Sequence, residues 1–285
     1  MNRCSMTPST ALDGFVVHEL DPALQVRVAR AMPDLDASLD AVVEDLWRKA
    51  AQRVAAGGAG VLFNGHVFTA DRITATEITG HVTEFRRIVA QMEWPELFGV
   101  LGLRPLAVCG VLRCADGVPF GRRHSAAIYQ PGMWQLPPAG SVDATAIAVD
   151  GSVNLAAQVV SELTEELGIR PDQVGPPRPL CVIEHPASHV SDVGIALTVA
   201  LSAAQVLQAH RTDGNREYDP LVVVPFADVA DFVGDVGELL VPPAYEFLIR
   251  AGLLSDAARH RTLRPIPTVV PAPRHGSIDR TTGTA

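Results

Sequence analysis

Basic residues are scarce in this chain: 23 lysines and arginines stand against 32 aspartates and glutamates, for a formal net charge of −9 over 285 residues. That balance excludes nucleic acid as the main partner, because affinity for a polyanion comes from clustered Lys and Arg, here outnumbered and scattered. Phosphate, if it is bound, is expected to arrive with a metal. Cysteine is sparse too. Cys4, Cys109, Cys114 and Cys181 form no Cys-x-x-Cys pair, and four are too few for a disulfide framework in a chain of this length, so they read as reduced. No stretch approaches the roughly 20 apolar residues of a membrane helix. The opening residues MNRCSMTPSTALDG lack the apolar run of a signal peptide. The expectation is a cytoplasmic protein with no membrane partner. What the chain does have is hydrophobicity, 47% of its residues, enough for one large domain or two modest ones. No internal repeat is visible.

Along the chain, Phe15-Val16-Val17 and Leu24–Val28 read as short strands. From Asp36 to Ala56, Leu39, Val42, Val43, Leu46, Trp47 and Ala50 recur at helical spacing, and Gly57-Gly58 closes the run. Asn64-Gly65, set between Val61-Leu62-Phe63 and His66-Val67-Phe68, predicts a tight reversal or kink between strands. Further β-rich stretches run from Arg72 to Thr76 and from Glu77 to Val82, before a break at Trp94-Pro95. Residues 1–100 thus read as a small α+β region.

From Leu106 to Arg113 a buried strand leads into a turn at Ala115-Asp116-Gly117 and a return through Gly121 to Ile128. A helix over Asn154–Leu167 carries Leu155, Val159, Leu163 and Leu167 as its buried stripe and stops at Gly168. Strands follow at Leu180–Glu184, Val193–Leu201 and Pro220–Val224, with a closing helix within Val241–Ala258. The Pro-, Arg- and Thr-rich remainder, residues 261–285, is expected to be a mobile tail.

Chemistry concentrates on that glutamate-bearing helix. Glu162, Glu165 and Glu166 stand at i, i+3 and i+4, so their carboxylates share one side of the helix. Like charges at this spacing repel unless a cation intervenes, and hard oxygen ligands suit Mg²⁺ or Mn²⁺. A solvated helix face is the competing reading for three glutamates taken alone.

The stretch Gly140–Ile169 resembles the signature of the Nudix hydrolases, in which a glycine-rich loop precedes a helix ending Arg-Glu-aliphatic-x-Glu-Glu-x-Gly-aliphatic. Here the helix ends Ser161-Glu162-Leu163-Thr164-Glu165-Glu166-Leu167-Gly168-Ile169, and Gly132–Gly140 is similar to the segment that leads into the signature. Two positions depart from it. Ser161 stands where the family has arginine, Val153 falls at its upstream glutamate, and the loop Asp143–Gly151 reads as an insertion whose Asp143 or Asp150 could replace the missing carboxylate.

The resemblance implies an α/β fold, an α/β/α Nudix sandwich with a mixed sheet over residues 101–260, behind the accessory α+β region. It implies Mg²⁺, or Mn²⁺, held by Glu162, Glu165 and Glu166, with Glu162 either a ligand or the base that deprotonates the attacking water. Glu217 lies where many relatives keep a further acidic residue. Arg122, Arg123 and Gly140 fall on the substrate side of the fold, beside His124. Glu184, His185 and His189 could be mistaken for a zinc site, but Pro186 discourages a helix that would align them, so structural or substrate-facing histidines are expected. Trp134 is expected in the core, and Cys109 and Cys114 on different faces.

The layout is similar to the UDP-glucose-hydrolysing branch of the family. The implied partner is a small-molecule diphosphate, a nucleoside diphosphate sugar cleaved to a nucleoside monophosphate and a sugar phosphate. A homodimer is left open. ADP-ribose, a nucleoside triphosphate and a prenyl diphosphate are alternative substrates, and a catalytically weakened ligand sensor is the alternative of a different class.

Overall fold

A computed structural model describes residues 11–255 except 13, 58–60, 126, 128 and 216; Cys4 and the tail at 261–285 lie outside the described residues. The first part of the chain forms β1 (Ala11–Leu12), β2 (Phe15–Glu19), β3 (Gln25–Val28), α1 (Ala37–Ala56), β4 (His66–Ile73), β5 (Glu77–Glu84), α2 (Phe85–Glu93) and α3 (Phe98–Leu101). The central part gives β6 (Leu106–Arg113), β7 (Gly117–Arg123), β8 (Trp134–Gln135), β9 (Ala139–Ser141) and α4 (Leu155–Leu167). There follow β10 (Arg178–Glu184), β11 (Ser191–Thr198), α5 (Ala203–Asp213), β12 (Tyr218–Pro225), α6 (Val229–Val236) and α7 (Pro242–Arg250).

The strands make a mixed six-stranded sheet in the order β1-β2-β10-β11-β6-β9 and two three-stranded sheets, β12-β7-β8 and β3-β5-β4. β6 and β11 run parallel along their whole length, from Leu106 beside Ser191 to Arg113 beside Thr198. Parallel central strands are buried on both faces, and two cores result. Leu106, Val108 and Leu112 point toward Leu155, Val159, Leu163 and Leu167 of α4. Cys109 and Val111 point the other way, toward Phe247 and Leu248 of α7 and Val118 and Phe120 of β7. The result is the expected mixed α/β layering, with helices on both faces of the main sheet. Cys114 belongs to the first core and Cys109 to the second, as their spacing suggests.

α4 starts where Asn154 accepts a hydrogen bond from Ala157 N at 3.0 Å, and it stops at Gly168, whose φ of 67° is the left-handed conformation glycine adopts without strain. Burying each Leu or Val of its stripe stabilises by roughly 1.5–3 kcal/mol. That fixes the rotation of the helix and therefore where its glutamates emerge.

Several expectations need correction. Asn64-Gly65 makes no hairpin: β4 begins after it at His66. The Asn64 side chain is instead spent on the start of α2, accepting from Arg86 N at 2.9 Å and donating to Glu84 at 3.2 Å. The return strand ends at Arg123 instead of running on to Ile128, which lies outside the described residues, and the closing helix is described only over Pro242–Arg250. Helices α2, α5 and α6 were not anticipated. For α5 a signal existed, since Ser202 and Gln205 form a reciprocal capping box.

The first hundred residues are tied to the rest by backbone pairing. β2 joins the main sheet alongside β10, with Val17 opposite Ile183. The inserted loop before α4 docks on β3, with Val28 N bonded to Gly151 O and Val153 N to Val26 O, both at 2.8 Å.

Candidate active site

β9 is the edge strand of the main sheet, with Gly140 opposite Val108 of β6. α4 packs beneath the sheet, and Glu162 and Glu166 reach up past that edge. The approach at Gly140 is close: a Cβ there would lie 2.1 Å from Glu162 Oε1, so only glycine leaves room for the carboxylate. Glu162 Oε1 accepts from Gln158 Nε2 at 2.8 Å. Glu166 is 1% exposed and accepts from Ala139 N at 3.1 Å, while Tyr218 Oη lies 3.5 Å away. Glu165 is exposed on the next side of the helix, with Ser161 Oγ donating to it at 3.2 Å.

The electrostatics follow from this crowding. Burial, opposed by the Gln158 hydrogen bond and reinforced by repulsion from Glu165, Glu217 and Asp143, pushes the Glu162 carboxyl up to about 7. Burial, with repulsion from Glu217 and Glu162, holds the Glu166 carboxyl well above its usual range, although Ala139 N–H and Arg123 pull the other way. Glu217 is thus within electrostatic reach of both. Its carboxylate pairs with Arg123 at 3.2 Å, and Arg123 also donates to the Tyr129 carbonyl at 3.1 Å.

Among the described residues, no three Asp, Glu, His or Cys side chains converge closely enough to enclose a metal ion in this arrangement. Glu162, Glu165 and Glu166 therefore do not form a closed shell together. The donor set nonetheless fits a hard divalent cation, because anionic oxygens that repel one another across a cavity are what such a cation stabilises.

A cavity of about 1180 Å³ opens over these groups. Glu162, Glu217, Gly140 and Arg123 border it. Arg122 does not; it is turned away and donates to the Gly132 carbonyl at 3.0 Å. The inserted loop contributes little: Asp150 accepts from Ser152 N and Oγ in an exposed turn, and Asp143 caps Thr145 N at 2.7 Å. Val153 is 8% exposed and packed in the core, where it contributes no carboxylate to the cluster. Trp134, expected in the core, is only partly buried at its margin, packed edge-on against Phe232.

Other lining residues were not singled out from sequence. Tyr129, Gln135 and Asp192 border the cavity, and α2 and its surroundings supply an apolar wall of Leu62, Phe85, Ile88 and Met92. His185 is buried, with Nδ1 2.7 Å from Tyr129 Oη and Nε2 2.7 Å from Asp192 Oδ2. His189 pairs with Glu184 at 3.1 Å and stacks on Phe98. A signal for Asp192 existed in the alternation Asp192, Gly194, Ala196, a polar or small face, but reading the strand from Val193 hid it.

No protein-family model matches the chain, and no curated protein matches it. Among solved structures it is similar to a Nudix hydrolase from Alicyclobacillus acidocaldarius, with 17% identity, 57% of this chain and 98% of that chain covered, and a TM-score of 0.38. It is also similar to a C. elegans Ap4A hydrolase, with 14% identity, 47% and 91% coverage, and a TM-score of 0.32. A third is a bifunctional NMN adenylyltransferase/ADP ribose pyrophosphatase from Francisella tularensis, with 12% identity, 60% and 50% coverage, and a TM-score of 0.37.

Proposed function

We propose that this chain is a divalent-metal-dependent Nudix-type pyrophosphohydrolase that cleaves a nucleoside diphosphate derivative, a nucleotide sugar, to a nucleoside monophosphate and a sugar phosphate. The observation that carries this reading is the clustering of carboxylates at β9: Glu162 and Glu217 border a large cavity, and Glu166 lies buried beside them, held by Ala139 N–H. Carboxylates held together at such a cost are expected at functional sites. In this reading residues 101–260 form the catalytic domain and residues 1–100 an accessory region.

Glu162 and Glu166 would supply carboxylates to Mg²⁺ or Mn²⁺, with water and substrate phosphate oxygens filling the other positions, Glu217 nearby and Glu165 exposed on the outer side. A divalent cation held there would supply charge neutralisation for a diphosphate and acidification of the attacking water. Glu166 is fixed by Ala139 N–H, so its carboxylate does not swing. Glu162, near 7 without metal, is tuned to take a proton from water at Oε2, because Oε1 is engaged by Gln158. Arg123 brings positive charge to the same rim, where it pairs with Glu217 at 3.2 Å, and would suit a phosphate oxygen.

The apolar wall of Leu62, Phe85, Ile88 and Met92 favours a second reading, a diphosphate whose other half is apolar, such as a prenyl group. The test is product release with Mg²⁺ and with Mn²⁺ from UDP-sugars, ADP-ribose, nucleoside triphosphates and prenyl diphosphates. Selective metal-dependent cleavage of a nucleotide sugar supports the first reading; cleavage of prenyl diphosphates alone supports the second. Ligand-induced thermal stabilisation without turnover would replace both with a ligand sensor.

A further inference from the structure

Asp192 faces the cavity from a strand the carboxylate rim does not use. It stands opposite Ala107 of β6, and Ala107 stands opposite Ser141 of β9, so the three form one row across the sheet. That row lies on the Cys109 side, away from α4, by the alternation of β6. Asp192 is two strands from the β9 edge, about 10 Å at the usual strand spacing. A diphosphate anchored at that edge would bring the first atoms of its organic half to this distance.

The side chain is held for a purpose that packing does not explain. His185 Nε2 lies 2.7 Å from Asp192 Oδ2. A carboxylate only accepts, so Nε2 donates to it, and the other ring nitrogen, Nδ1, lies in hydrogen-bond contact with the Tyr129 hydroxyl, 2.7 Å away. The Ser188 hydroxyl completes the chain 3.0 Å from Tyr129 Oη. Oδ1 of Asp192 receives no hydrogen bond from any described residue, and the side chain borders the cavity. A buried histidine, backed by the partly buried Tyr129, thus orients one carboxylate that borders the groove.

Resting on the hydrolase reading, we propose that Asp192 is the acceptor for a vicinal hydroxyl pair on the substrate, a ribose or hexose diol next to the diphosphate, and that His185 and Tyr129 are its positioning residues. Adjacent O–H groups can donate to the carboxylate oxygen that His185 leaves open, whereas a prenyl chain offers that oxygen no donor.

Binding to the full chain is measured by calorimetry with Mg²⁺, using UDP-glucose, ADP-ribose, geranyl diphosphate and inorganic diphosphate as probes on slowly turning over Glu166→Gln protein. The expected result is that one sugar probe binds more tightly than inorganic diphosphate and that Asp192→Ala weakens that probe at least tenfold, with inorganic diphosphate unchanged within about twofold. His185→Gln and Tyr129→Phe should weaken the sugar probe in the same direction but less. The proposal is overturned if Asp192→Ala lowers all affinities together, if it changes none, or if neither sugar probe outbinds inorganic diphosphate. Since binding is read without turnover, a failure here leaves the hydrolase reading standing. Loss of turnover specificity in the wild-type protein would fail that reading separately.

Discussion

The backbone of Gly140 and the carboxylate of Glu162 occupy adjoining space, such that a methyl group on Gly140 would lie 2.1 Å from Glu162 Oε1. The obstacle is the end of a flexible side chain, so Gly140→Ala should fold by pushing that carboxylate aside. The expected outcome is a fall in metal-dependent turnover of at least about tenfold, with the thermal midpoint shifted by no more than about 2–4 °C. Paired activity and thermal-unfolding measurements check this; unaltered turnover would place Glu162 outside the chemistry.

The carboxylate cluster also sets a pH dependence. Glu162, raised to about 7 chiefly by burial, titrates well above the roughly 4.3 of an unfolded glutamate. The folded protein therefore binds that proton more tightly than the unfolded chain does. This contribution to stability is present in full below about pH 4 and is lost as pH rises through about 7. Glu166 acts in the same direction. Metal-free protein should lose this contribution progressively between about pH 4 and 7, and millimolar Mg²⁺ or Mn²⁺ should offset the loss. Calorimetric unfolding across that range, with and without chelator, reads both effects.

Glu184 behaves oppositely. Burial alone would raise its carboxyl, but His189 and Arg104, each 3.1 Å away, with His18 at 4.0 Å, bring it down to about 2. Its contribution is present above the unfolded value near 4.3 and is lost as pH falls toward 2. Glu184→Gln should therefore destabilise at pH 7 by roughly 1–2 kcal/mol, after allowance for partial exposure. The deficit relative to wild type should shrink in acid, as urea unfolding at pH 7 and pH 3 would reveal.

Much of the site was legible in the sequence because helical spacing is a local property. Val159 and Leu163 fixed the inner face of α4, and Glu162, Glu165 and Glu166 followed from it. Arg122 and Arg123 were not separable that way: they alternate along β7, and only the pairing with β8 and β12 sends Arg123 to Glu217 and Arg122 to Gly132. His185 and Asp192 flank the turn of one hairpin, β10–β11, but Tyr129 joins them from 56 residues away, and nothing local announces that meeting. Asn64-Gly65 misled for a related reason, since a turn-prone pair can spend its hydrogen bonds on a distant helix start.

That use of Asn64 carries its own consequence. Asn64→Ala removes the acceptor of Arg86 N and a donor to Glu84, and should destabilise by roughly 0.5–2 kcal/mol, as loss of a helix cap does. Because α2 walls the cavity through Phe85, Ile88 and Met92, binding at that end should weaken more than metal binding at the carboxylate rim. Denaturant unfolding and metal titration on the same variant separate the two.

The central claim is that Glu166, buried and fixed by Ala139 N–H, belongs to a metal-dependent hydrolytic centre. The direct measurement is phosphorus NMR of the products of UDP-glucose or ADP-ribose with Mg²⁺, comparing wild-type protein with Glu166→Gln at matched fold content. The expected result is two phosphomonoesters from the wild type and turnover reduced at least about a hundredfold, near 3 kcal/mol, in the variant. Near-normal cleavage by Glu166→Gln would contradict it.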